Sequence, residues 1–76
     1  MKIEVGKSYL TRKGYVVEIT HKAKHITSFP FNGEIDLGDG DKCPVCYTIY
    51  GHFFPRKGEH ALDLVKEFEN QILIGD

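Results

Sequence analysis

Cys43, Cys46, His52 and His60 carry the side chains with the most chemical scope, and they spell C-x2-C-x5-H-x7-H. Tetrahedral zinc takes four N or S ligands, and a close cysteine pair is its usual knuckle. These four are therefore the candidate metal ligands, for a zinc-stabilised mini-domain. The histidines stand further apart than the three to five residues of the common finger pattern. His21 and His25 add an H-x3-H, which shares one face of a helix. A redox pair would need a thiolate of lowered pKa, usually at a helix N-terminus; Cys46 instead precedes the strand-like YTIY. Pro44 holds Cys43 extended, and residues i and i+3 of a strand point to opposite faces. The geometric reading is thus two free thiols at the exit of a turn, with no cofactor.

Other catalytic patterns are missing. Asp36, Asp39 and Asp41 in DLGDGDK lack the acid spacing and the closing glutamate of a calcium loop, and read as a hairpin tip. There is no phosphate-binding glycine loop and no G-x-S-x-G. The expectation is a protein that is not an enzyme.

Binding chemistry is better represented. Tyr50, Phe53 and Phe54 lie beside Arg56 and Lys57, and aromatics among bases can stack on single-stranded nucleic acid. Large apolar side chains also dominate small cores. Alternation points Tyr50 outward, which makes Tyr50, His52 and Phe54 the candidate protein-docking surface. The net charge of −1 conceals an asymmetry: residues 1–27 carry six Lys/Arg against two Glu, and residues 28–76 carry four against nine Asp/Glu. Arg12, Lys13, Lys22 and Lys24 form a basic half, the candidate nucleic-acid surface. A generic DNA binder is basic overall, which weighs against that class.

These residues need elements to position them. A chain of 76 residues makes one domain, 1–76, with a thin core that buries roughly 60% of its unfolded surface. SYLTRKGYVVEIT reads as a hairpin, with Tyr9, Thr11, Tyr15, Val17 and Ile19 inward and Gly14 supplying a positive φ. HKAKHITS is a basic loop or a strand start. Pro30 marks an edge, a strand start or a bulge, then Ile35 and Leu37 alternate inward. Val45, Tyr47 and Ile49 do so again, with Tyr50 closing that strand. Phe53 and Phe54 make a short strand. Ala61, Leu62, Leu64, Val65, Phe68 and Ile72 recur at helical spacing, although NQILIG could be a last strand.

The expected fold is mainly β: a small SH3-like, partly open antiparallel barrel of about five strands with a short C-terminal helix. An open antiparallel sheet plus helix, α+β, is the alternative. Small sheets often pair across an edge, which makes a homodimer a candidate assembly. No run approaches the ~18 apolar residues of a membrane helix. MKIEVGKSYL has Glu4 and Gly6 where a secretory signal is unbroken, so the expected location is the cytoplasm, with no membrane partner.

YLTRKG (9–14), PFNGEI (30–35), YTIYGHF (47–53) and LDLV (62–65) follow one another in a recognisable order. The chain resembles small accessory proteins of tailed phages and prophages that run Tyr-x-Thr-Arg-x-Gly, Pro-x-x-Gly, Trp-x-x-x-Gly, Asp-Leu-Val. Tyr47 stands where the usual Trp would be, and CPVC and HKAKH depart from the pattern. The resemblance implies a compact β protein of the bacterial host cytoplasm. It also implies a non-catalytic role: binding a host protein, such as a defence factor, and modulating or inhibiting it. In the two strongest motifs, Arg12 is expected to brace its hairpin through a carboxylate. Asp63 is expected to cap the terminal helical turn.

Overall fold

A computed structural model describes residues 2–38, 40–53 and 59–68. Five antiparallel strands form one open sheet in the order β4-β3-β2-β1-β5. They are β1 (Ser8–Thr11), β2 (Val16–Lys22), β3 (Phe31–Asp36), β4 (Lys42–Tyr47) and β5 (Leu64–Phe68). The chain is mainly β, as its alternation and glycine-marked turns lead one to expect.

Each strand follows the period-2 rule that buries one face. Tyr9 of β1, Val17 and Ile19 of β2, Phe31 and Ile35 of β3, Val45 and Tyr47 of β4 and Leu64 of β5 join Ile3 in one core. Full burial of such a side chain stabilises by about 1.5–3 kcal/mol. The β1–β2 hairpin turns at Gly14, with φ of 89°. Thr11 closes that turn, its Oγ1 accepting from the Tyr15 N–H at 3.0 Å.

Two irregularities bend the sheet. The β2–β3 register shifts between Ile19 and His21, and the β1–β5 register shifts between Leu10 and Thr11. Bulges increase local twist. Gly33 sits opposite Ile19 beside the first one. A Cβ there would collide with the Glu18 carbonyl oxygen. The glycine of the Pro-x-x-Gly stretch is thus a close-approach residue.

Several expectations need correction. The helix over 61–72 is not formed among the described residues. Residues 60–63 make a turn, closed by the Asp63 N–H on the His60 carbonyl at 3.0 Å, and β5 then pairs with β1. A helix would have buried Leu64 and Val65 together; the strand buries Leu64 and leaves Val65 exposed. Sheet pairing outweighs a weak helical spacing; Ile72 lies outside the described residues. The fourth strand stops at Tyr47 rather than Tyr50, so Ile49 faces out instead of in. Leu37 is also exposed, because β3 ends at Asp36. Phe53 makes a single bridge with Tyr47 in place of a short strand. The sheet is open, with β4 and β5 at its two edges.

Candidate functional site

The segment Thr48–Phe53 places two groups of side chains. Thr48 organises it: its Oγ1 accepts from the N–H groups of Tyr50 (3.2 Å) and His52 (3.0 Å). Its carbonyl accepts from Gly51 at 3.0 Å, and its own N–H donates to the His52 carbonyl at 3.0 Å. Gly51 takes φ of 87°, a left-handed conformation that glycine adopts without strain. The Gly51 carbonyl accepts from Leu64 N–H at 2.9 Å, tying the turn to β5. A tip so held has little freedom to fold its side chains inward. Ile49 is 51% exposed and Tyr50 70% exposed.

On one side of this tip lies a cleft of about 360 Å³ lined by Lys2, Ile3, Lys22, Phe31, Ile49 and Tyr50. Ile3 and Phe31 are buried members of the core and form its floor. Lys22 Nζ stands 5.5 Å from the centroid of the Phe31 ring, a cation–π distance. The Lys2 segment is pinned from below by the buried Tyr9: its hydroxyl donates to the Lys2 carbonyl (3.2 Å) and accepts from Glu4 N–H (2.8 Å). Burial raises the Tyr9 hydroxyl pKa above its ordinary value, which keeps it a donor.

On the other side, Asp63 ties the loops together while only 2% exposed. Oδ1 accepts from Phe53 N–H and Oδ2 from His60 N–H, both at 2.8 Å. His52 Nδ1 stands 3.8 Å and Arg12 Nε 3.7 Å from Oδ2. The Arg12 N–H donates to the Asp63 carbonyl at 3.1 Å. Burial pushes the carboxyl pKa up, but the backbone donors of Phe53 and His60, with His52 and Arg12, outweigh it and hold it below the ordinary value. Next to it, the Tyr47 hydroxyl donates to the Leu62 carbonyl at 2.8 Å. Burial, with the Asp63 charge, raises that hydroxyl well above the tyrosine range.

The predicted residues therefore separate. Tyr50 enters the cleft together with Lys22. His52 turns to Asp63, where it meets Arg12. Arg12 also reaches Glu59, at 3.9 Å. Lys13 is exposed at the hairpin tip, its N–H donating to the Ala61 carbonyl at 3.3 Å. Lys24 is exposed in the β2–β3 loop. Phe54, like Arg56 and Lys57, lies outside the described residues.

The zinc candidates are spread in the same way. Cys43 and Cys46 occupy opposite-parity positions of β4 and are free thiols. Cys46 Sγ donates to Asn32 Oδ1 at 3.0 Å, in a pocket of about 230 Å³ shared with His25, Thr27 and Phe29. His60 Nδ1 accepts from the Leu62 N–H at 3.0 Å, and its ring stacks on Phe53 at 4.8 Å. Among the described residues no three of His, Cys, Asp or Glu gather as a metal-holding group.

Comparison with protein-family models, with curated proteins and with solved structures found no match. The site is accordingly argued from its geometry. Lys2, Ile3, Phe31 and Ile49 escape sequence reasoning. They come from separate segments, and only a folded sheet joins them. The local signals are Lys22, in the basic half, and Tyr50, whose outward position holds although it lies on a turn and not on the strand.

Proposed function

We propose that this protein is a non-catalytic binding protein that docks another protein at the Ile49–Tyr50 cleft. The observation that carries the reading is a large aromatic, 70% exposed, on a turn held by Thr48 and Gly51. Exposed, pre-organised tyrosines are favoured interface anchors, because ordering them costs little conformational entropy. The adjacent cleft adds apolar floor and cationic rim, the ordinary anatomy of an interface core and its edge. Asp63 is assigned to holding the loops and not to chemistry, since its oxygens are occupied by backbone donors.

The resemblance to phage and prophage accessory proteins supplies the kind of partner: a host protein in the bacterial cytoplasm, modulated or inhibited by being bound. The test is capture from bacterial lysate by the immobilised protein, compared with Tyr50→Ala and Ile49→Asp. A partner retained by the wild type and lost by both variants, at unchanged melting temperature, supports the reading. A partner held equally by all three overturns it.

A further inference from the structure

The chemistry of the cleft specifies its occupant further, on the footing of the docking role proposed above. Among the described residues, Lys2 and Lys22 are its charged lining residues. Neither meets a carboxylate among the described residues; the lysine and arginine ion pairs there belong to Lys7 and Arg12. Glu4, two positions from Lys2, is taken by Lys7 at 3.6 Å. Two ammonium groups thus rim an apolar floor with no counter-charge among the described residues.

Both are positioned by the fold. Lys22 is the cross-strand partner of Phe31 and lies over its ring. The Lys2 backbone is held by the Tyr9 hydroxyl. An incoming carboxylate would meet ammonium groups already beside the cleft, so less side-chain entropy is lost on pairing.

We infer that the cleft takes an acidic peptide segment of the partner. One apolar side chain would enter between Ile49, Tyr50 and the Ile3–Phe31 floor, while flanking carboxylates meet Lys2 and Lys22. The same features discriminate against a nucleic-acid strand. Strand-tracking proteins stack successive bases on several exposed rings along a basic groove. Here Tyr50 is the exposed ring of the cleft, and Phe31 is buried with its face already met by Lys22. The whole chain has a net charge of −1, so it does not attract a polyanion from a distance.

The test is fluorescence anisotropy with four labelled probes on the full chain. They are a peptide with one tryptophan flanked on both sides by glutamates, its lysine-flanked counterpart, an all-glutamate peptide without tryptophan, and oligothymidylate. Only the first should bind. Its affinity should fall about fivefold with Lys2→Glu and again with Lys22→Glu, and should weaken as salt rises. Tyr50→Ala should remove it. All three side chains are exposed, and matching thermal melts confirm that each variant folds. Oligothymidylate binding as tightly with the same lysine dependence overturns the inference in favour of nucleic acid. Equal binding of the lysine-flanked peptide, or no binding of the acidic one, overturns it outright. If the acidic peptide fails while lysate capture still depends on Tyr50, the occupant is wrong and the docking role stands. If both fail, the docking role falls with it.

Discussion

Asp63 is the residue on which the geometry of the loops depends. It accepts two short backbone hydrogen bonds from different segments while nearly excluded from water. Asp63→Ala would leave the Phe53 and His60 donors unpaired, and a urea melt should show a loss of about 3 kcal/mol. The pH dependence has a definite sign. The folded pKa lies below the ordinary 3.8, so the stabilisation is complete above that value and is lost as pH falls through the folded pKa. Stability measured below about pH 4 should fall more steeply for the wild type than for Asp63→Asn. That Asp63 serves a turn is legible, because a short acidic side chain commonly accepts nearby backbone N–H groups; the helical turn expected there is instead a tight turn into β5. The meeting of Asp63 with Arg12 and His52 is not legible, since three distant segments must close before it exists. Tyr50 has the opposite character: it holds nothing together, so Tyr50→Ala should leave the melting temperature within about a degree of wild type.

At the scale of elements, the sheet was read well where alternation was strict. Tyr9, Val17, Ile19, Ile35, Val45 and Tyr47 all lie in the core. Reading failed where strands end. Ile49 continues the alternation of β4, yet Thr48 captures two N–H groups and turns the chain first. It failed again in LDLV, where an apolar spacing compatible with a helix is used as a turn and an edge strand. Pairing with β1 decides between them, and no short window contains that partner. Gly33 offers a sharp check on the bulged β2–β3 pair. Gly33→Ala must push a Cβ into the Glu18 carbonyl; a loss of at least about 2 kcal/mol is expected in denaturant titration. Thr48→Val tests the docking turn. It removes the acceptor for Tyr50 and His52 while keeping the shape of the side chain. It should weaken partner binding several-fold with a stability loss of only about 1 kcal/mol.

At the scale of the molecule, the charge asymmetry of the sequence acquires a structural meaning. Two of the six cations of the basic first third are drawn into ion pairs. Lys7 pairs with Glu4 and Glu67, and Arg12 with Asp63 and Glu59, so part of the positive half is folded against the negative half. Lys13 and Lys24 lie exposed elsewhere, and Lys2 and Lys22 stand at the cleft. Partner affinity should therefore fall by less than about tenfold between 50 and 200 mM salt, the screening expected of a few charges. A chain neutralising six or more phosphates would lose about a thousandfold. Among the described residues, no helix is long and apolar enough to cross a membrane. The central claim is that a protein partner docks at the cleft between Lys2, Lys22 and the Ile49–Tyr50 turn. The most direct measurement is an NMR chemical-shift footprint of the isotope-labelled protein with its captured partner. The account predicts perturbations concentrated on Lys2, Ile3, Lys22, Phe31 and Thr48–Gly51. A footprint centred on the β4 edge at Lys42–Cys46, or on the Arg12–Gly14 hairpin tip, would contradict it.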